Sequence, residues 1–319
     1  MPLHPLSEKV VAGDRRALAR CLSVVEDRRE GYLDILGDLY RRAGRGRIIG
    51  ITGPPGAGKS TLVDKLIGAY REQNLTVAVA AVDPSSAFSG GAILGDRIRM
   101  QGRALDEGVF IRSMATRGHM GGLSGATGDA LTVLDAAGFD VILVETVGVG
   151  QDEVDIVREA DTVLVLLVPG MGDDIQVIKA GIMEIADVFV INKADRDGVD
   201  RVERELRSAL TQAEEELAWT PPILKTVASR GEGVPELVAA VEKHREYLAA
   251  SEEGRGRLLL KFTQKFSDLL AEGFLARLRE RWLPPEEERR LLEAFVRREA
   301  DPYTASDEIL RRICWEVRP

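Results

Sequence analysis

The nine residues from Gly53 to Thr61, GPPGAGKST, restrict the fold more than any other stretch of this chain. Glycine, four residues, then Gly-Lys-Ser follow directly on the apolar run RIIGIT and open a segment with helical spacing. Glycines let backbone N–H groups turn inward around an anion, and the N-terminus of the helix that follows adds positive potential. The pattern therefore predicts a strand, a phosphate-cradling loop and a helix in that order. An ordinary glycine-rich turn would not demand Lys-Ser at this offset. Gly53, Pro54, Pro55, Gly56, Ala57, Gly58, Lys59, Ser60 and Thr61 are thus expected to hold nucleotide phosphates. Lys59 would reach the terminal phosphates, and the Ser60 hydroxyl would ligate Mg²⁺.

The rest of the chain fits that start. Six further short apolar runs, TVAVAAVD, VFIRSMAT, FDVILVET, TVLVLLVP, ADVFVINKAD and PILKTVAS, each stop at polar or glycine-rich loops. Helical patterns separate most of them, which is the signature of a parallel, doubly wound sheet. Ahead of it, residues 5 to 43 alternate charged and apolar positions at helical spacing, with Leu18, Leu22 and Val25 on one face and Leu33, Leu36 and Leu39 on another. This reads as two short helices. Beyond residue 251 no strand pattern remains, and Leu258, Phe262, Phe266, Leu270, Phe274, Leu278 and Trp282 recur every fourth residue until Pro284-Pro285 stops them. The expected organisation is an N-terminal helical segment (1–45), a P-loop α/β domain with a mostly parallel doubly wound sheet (46–250) and a C-terminal helical extension (251–319). The chain has 319 residues, of which 45% are apolar and 30% charged, enough to bury one large core with smaller helical additions.

Charge and cysteine content exclude several classes. A net charge of −9 argues against nucleic acid or an anionic membrane surface as the main partner, since neither would gain counterion-release energy. Two cysteines far apart, Cys21 and Cys314, suggest neither a disulfide framework nor a CxxC metal site, and fit a reducing cytoplasm. No run approaches the roughly 20 apolar residues of a membrane span.

Three further stretches specify the chemistry. The buried-looking run FDVILVET finishes on Glu145. A P-loop enzyme needs a carboxylate at the end of a strand beside the loop to hold Mg²⁺, and Glu145 suits that position. Gly148 lies three residues on, where a backbone N–H would meet the γ-phosphate. Val149 then stands where Ras-type GTPases carry their catalytic glutamine, and Gln151 is two positions too late to inherit that role. Asp83 ends the second predicted strand and precedes the glycine-rich stretch 86–100, which includes Asp96. Both are candidates for a second carboxylate near Mg²⁺ or the attacking water, so Lys59, Asp83, Asp96 and Glu145 form the expected catalytic group. Finally, Asn192-Lys193-Ala194-Asp195 and Ala228-Ser229-Arg230 sit at later strand ends, where open α/β sheets contact ligands. A carboxylate such as Asp195 accepts both the ring N–H and the exocyclic amine of guanine, and adenine offers no matching pair of donors. GTP is favoured over ATP.

Taken together, GPPGAGKST, VDPSS, GGAILGDR, ETVGVGQ, GDDIQVIKAG, NKAD and the helical tail closely resemble the MeaB/ArgK family of GTPases associated with methylmalonyl-CoA mutase, within the SIMIBI-type metallochaperone class. The match runs over nearly the whole chain. The resemblance implies a GTP-hydrolysing chaperone of an adenosylcobalamin-dependent acyl-CoA mutase, gating cofactor delivery and protecting or rescuing the enzyme. It also implies a nucleotide-controlled homodimer, for which the stripe through Phe262, Phe266, Leu270 and Phe274 is the expected surface. By the same resemblance Ser60, Asp83, Asp96 and Glu145 would surround Mg²⁺, and Asp195 with Ala228 to Arg230 would surround the base. PGMGDDIQVIKAG would be an additional switch that signals to the mutase through Asp173, Gln176 and Lys179, spaced i, i+3 and i+6. Two rival functions share the motif. A nickel-insertion GTPase would need Cys and His clusters, whereas His4, His119 and His244 are far apart in sequence. A P-loop kinase would need a lid or acceptor site, and the NKAD stretch argues against ATP.

Overall fold

A computed structural model of the chain describes residues 3–84, 103, 105–116, 124–146, 159–170, 183–213 and 218–316. Seven strands carry the architecture: β1 Arg47–Thr52, β2 Val77–Pro84, β3 Val109–Thr116, β4 Val141–Thr146, β5 Thr162–Leu167, β6 Val188–Asn192 and β7 Ile223–Thr226. They form one all-parallel sheet in the order β3-β2-β4-β1-β5-β6-β7. All seven coincide with the apolar runs of the sequence. Strands covered on both faces bury every side chain, so they read as unbroken apolar stretches rather than as an alternation. β4, β5 and β6 are buried at every position.

Successive side chains of a strand point to opposite faces, and the two faces have separate cores. Ile48, Ile142, Val165 and Phe189 join one core, which is covered by N-terminal helices α1 (Pro5–Val11), α2 (Arg15–Glu26) and α3 (Tyr32–Tyr40), by α5 (Ser124–Ala136) and by α6 (Val199–Ala213). Ile49, Leu143, Leu164 and Val190 face the other way onto α4 (Lys59–Glu72) and α7 (Val234–Ala250). The N-terminal segment is therefore part of the sheet's own core.

That segment contains three helices where periodicity alone suggests two. The extra boundary lies at Gly13-Asp14: Gly13 has φ +84°, and the Asp14 carboxylate accepts hydrogen bonds from the Arg16 and Ala17 N–H groups at 2.8 and 3.0 Å. This is a helix N-cap, and it separates α1 from α2. In α3 the inward positions are Ile35 and Leu39, whereas Leu33 is exposed.

The chain divides into two compact units, Met1–Arg255 and Gly256–Pro319. Helix α8 (Glu252–Trp282) runs from the first into the second, which also contains α9 (Pro285–Val296) and α10 (Pro302–Glu316). Pro284 ends α8 and occupies the N-cap of α9. Along α8, Leu258, Phe262, Phe266, Leu270 and Phe274 are all exposed. Among the described residues no helix is long and apolar enough to cross a membrane.

Candidate nucleotide site

Order reverses at β1: the chain leaves it towards β2 on one side, and β4 leads on to β5 on the other. Ligands of open α/β sheets bind in the crevice at the carboxyl ends of strands flanking such a switch point. The loop after β1 opens into that crevice. Gly53 has φ +141°, and a Cβ there would lie 2.4 Å from the Leu166 carbonyl oxygen of β5. Gly58, at φ +91°, is the N-cap of α4, and its Cβ would lie 2.5 Å from Asn192 Nδ2. Both positions need glycine for conformation and for space.

Lys59 is buried, and its Nζ donates to the carbonyls of Gly53 at 2.6 Å and Pro54 at 3.1 Å. The ammonium is thereby folded back over the loop it belongs to, where incoming phosphate oxygens would meet it. The next residue points at β4. The register pairs Ile51 with Glu145, and Thr146 Oγ1 reaches Thr52 Oγ1 at 3.2 Å, so the carboxyl ends of β1 and β4 are tied side by side. Ser60 Oγ then donates to Glu145 Oε1 at 2.6 Å. A hydroxyl and a carboxylate this close, both hard oxygen donors beside a phosphate loop, suit Mg²⁺, which takes one or two protein oxygens and completes its shell with phosphates and water. Glu145 is 5% exposed, so the pair sits at the floor of the crevice.

The base end is assembled by β6 and β7. Asn192, buried at the end of β6, donates from Nδ2 to the Ala57 carbonyl at 2.7 Å, and its Oδ1 accepts from Thr226 Oγ1 and from the Ala228 N–H, both at 3.1 Å. One amide thus joins the phosphate loop to the loop after β7. Lys193 adopts φ +57° and donates from Nζ to the Gly56 carbonyl at 2.7 Å, laying its stem across the phosphate loop. Asp195 is about half exposed and pairs with Arg230 at 3.3 Å.

The structure therefore brings together the residues 53–61, Glu145, 192–195 and 228–230. Asp83 lies in β2, two residues past the Ala81–Glu145 register pair, on the same carboxyl edge of the sheet. Asp96, Gly148, Asp173, Gln176 and Lys179 lie outside the described residues, as do Val149, Gln151 and His119. Of the other two histidines, His4 caps α1 through Nδ1, and His244 is buried between Thr162 Oγ1 (2.9 Å) and Asp187 Oδ1 (3.3 Å). Sequence reasoning missed Glu232, which lies 3.2 Å from Arg230. A lone acid between two glycines carries no signal of that pairing.

A family model described as Methylmalonyl Co-A mutase-associated GTPase MeaB matches residues 18–280. A Pyrococcus abyssi protein named as a GTPase is 50% identical over 317 residues, covering 98% of this chain and 97% of its own. GTPase ArgK of Escherichia coli is 39% identical over 250 residues, 75% of each chain. The mitochondrial methylmalonic aciduria type A homolog of Mus musculus is 35% identical over 262 residues, covering 76% of this chain and 63% of that protein. Among solved structures, one described as a LAO/AO transport system kinase superimposes with a TM-score of 0.70 at 28% identity, over 97% of this chain and 96% of that one.

Proposed function

The chain belongs to the MeaB family of methylmalonyl-CoA mutase-associated GTPases, and we propose that its GTPase cycle serves an adenosylcobalamin-dependent acyl-CoA mutase, gating cofactor delivery and protecting or reactivating that enzyme. The single observation that supports the Mg²⁺·GTP part of this reading is the 2.6 Å contact between Ser60 and Glu145 beneath Lys59.

In this proposal the residues 53–61 wrap the phosphates, with Lys59 leaving the Gly53 and Pro54 carbonyls to take up phosphate charge. Ser60 and Glu145 would hold Mg²⁺, with a further carboxylate from Asp83 at the end of β2 or from Asp96 in the segment that follows it. The ion, when bound, neutralises charge that builds on the β- and γ-phosphate oxygens. Gly148 reads the γ-phosphate. Asn192, Lys193 and Asp195 seat guanine, with the residues 228–230 around it. Hydrolysis by the isolated chain is slow, because Val149 occupies the position of the water-orienting glutamine.

The mutase part draws on the family description and on the name of the mouse relative. Asp173, Gln176 and Lys179 would transmit the nucleotide state to the mutase, and the cytoplasm is the compartment that two widely separated cysteines fit. The exposed stripe on α8 would pair two copies of the chain: phenylalanine and leucine side chains at Phe262, Phe266, Leu270 and Phe274 left in water are more than solubility tolerates.

The decisive experiment is single-turnover GTP hydrolysis with and without a cobalamin-dependent acyl-CoA mutase. Lys179→Ala is expected to keep nucleotide affinity and intrinsic turnover while losing most of the stimulation by the mutase; coupling of about 1–3 kcal/mol makes this a 5- to 150-fold effect. Lys59→Ala is the control that loses nucleotide-dependent function altogether. Full stimulation of Lys179→Ala, or transfer of phosphate to an acceptor other than water, would count against the proposal.

A further inference from the structure

The base end of the site carries a charge arrangement that guanine recognition alone does not require. Arg230 faces two carboxylates: its Nη2 lies 3.3 Å from Asp195 Oδ2 and its Nε 3.2 Å from Glu232 Oε1. The three side chains are 55%, 46% and 59% exposed, so they exchange partners freely, unlike a buried pair. The turn that carries Arg230 and Glu232 is, in contrast, held firmly. Val227 N–H donates to the Glu232 carbonyl at 3.0 Å, Arg230 N–H to Val227 at 2.9 Å and Gly231 N–H to Ala228 at 3.2 Å. Ala228 is itself fixed by Asn192. A Cβ at Gly233, where φ is +78°, would lie 2.2 Å from the Lys225 carbonyl, which locks the turn against β7.

Guanine offers a carboxylate two parallel N–H donors, and so does a guanidinium. Arg230 and the base therefore compete for Asp195. A guanidinium expelled from Asp195 into water would lose its ion pair, but Glu232 already stands within reach on the same rigid turn. Base entry then replaces the Arg230–Asp195 pair with hydrogen bonds from guanine to Asp195, while Arg230 keeps its pair with Glu232.

We propose that Arg230 is a latch over the guanine seat and that Glu232 is its keeper: Arg230 bridges Asp195 and Glu232 in the nucleotide-free protein, and retreats onto Glu232 alone when guanine takes Asp195. Glu232 thereby sets the rate at which the base is admitted. This rests on the GTPase reading of the same site.

The sign of two substitutions tests it. GDP is anionic, so simple electrostatic steering makes removal of an acid speed association and removal of a base slow it. The latch requires the reverse. Stopped-flow association of a ribose-labelled fluorescent GDP with the full chain at low salt is expected to slow about two- to five-fold in Glu232→Gln, because Arg230 then has only Asp195 to hold. It is expected to quicken by a similar factor in Arg230→Ala. The double variant should match Arg230→Ala, since a keeper without a latch does nothing. All differences should shrink near about 1 M salt, where the screening length is about 3 Å. Faster or unchanged association in Glu232→Gln, slower or unchanged association in Arg230→Ala, or additive effects in the double variant would overturn the latch while leaving the guanine site intact. Failure of the unaltered chain to bind GDP at all would remove the guanine site and the latch together.

Discussion

Lys59 and Asp195 both serve one nucleotide in the proposed site, yet the molecule treats them differently. Lys59 is 7% exposed and held by two carbonyls of its own loop, whereas Asp195 is 46% exposed and its ion partner, Arg230, is shared with Glu232. The phosphate end is made of backbone: glycines at positive φ, a helix start and a buried amine. The base end is made of exposed charged side chains on a fixed turn. Backbone geometry gives affinity that tolerates little change, because a side chain at Gly53 would meet the Leu166 carbonyl and one at Gly58 would meet Asn192 Nδ2. Exposed charges give selectivity and timing, because each contact is worth little and is easily exchanged.

The largest effect is expected at the phosphate end. Gly53→Ala forces a side chain to φ +141° and places Cβ 2.4 Å from the Leu166 carbonyl. Strain of about 1–3 kcal/mol and overpacking of about 1–3 kcal/mol add. Urea denaturation should show that loss, and nucleotide binding should fall below detection; an alanine variant with unaltered stability would show that the loop is not rigid.

Asn192 belongs to both ends, so Asn192→Ala measures how tightly they are joined. It removes three hydrogen bonds, to Ala57, Thr226 and Ala228, and a cost of about 1.5–4.5 kcal/mol follows at about 0.5–1.5 kcal/mol each. Amide hydrogen exchange should quicken in both the phosphate loop and the turn after β7. If only one of them responds, the two ends are independent.

At the base end, Asp195→Asn replaces an acceptor pair with one acceptor and one donor. GTP affinity should drop about ten- to a hundred-fold, the range of a hydrogen bond to a charged group, while xanthosine nucleotides gain. Competition binding decides this, and an unchanged preference for GTP would take Asp195 out of the base site.

The smallest effect concerns the support beneath that end. Lys225 of β7 and, secondarily, Arg207 hold the Glu203 carboxyl below its usual value of 4.5. A depressed carboxylate stabilises the fold fully above its unfolded value and loses that contribution as pH falls through its folded one. Glu203→Gln should therefore lower the urea midpoint slightly at neutral pH, and the gap from the unaltered chain should close progressively on acidification below 4.5. A gap independent of pH would mean that Glu203 acts by packing alone.

Much of this was legible in the residues. All seven strands stand in the sequence as apolar runs, because a parallel sheet covered on both faces leaves few positions polar. The phosphate loop was legible because Gly53, Gly58, Lys59 and Ser60 are adjacent in the chain, so their joint chemistry is local. The third N-terminal helix escaped notice because Gly13-Asp14 is one short cap inside an otherwise continuous periodicity. Glu232 escaped because its role exists only where the turn after β7 meets the residues after β6.

The sequence by itself determined what neighbouring residues decide among themselves: where strands run, where φ must be positive, where a helix begins, and that one loop must cradle phosphate. Tertiary structure alone decided which strands lie beside β1. Parallel pairing puts β4 there, its residues 94 positions further along the chain than their β1 partners (Ile51 with Glu145), and so brings Glu145 within 2.6 Å of Ser60. It also carries Asn192 to Ala57 across 135 residues. Dihedral preference and periodicity act over a few residues, whereas strand order is chosen by burying two separate cores at once, and no local stretch contains that information.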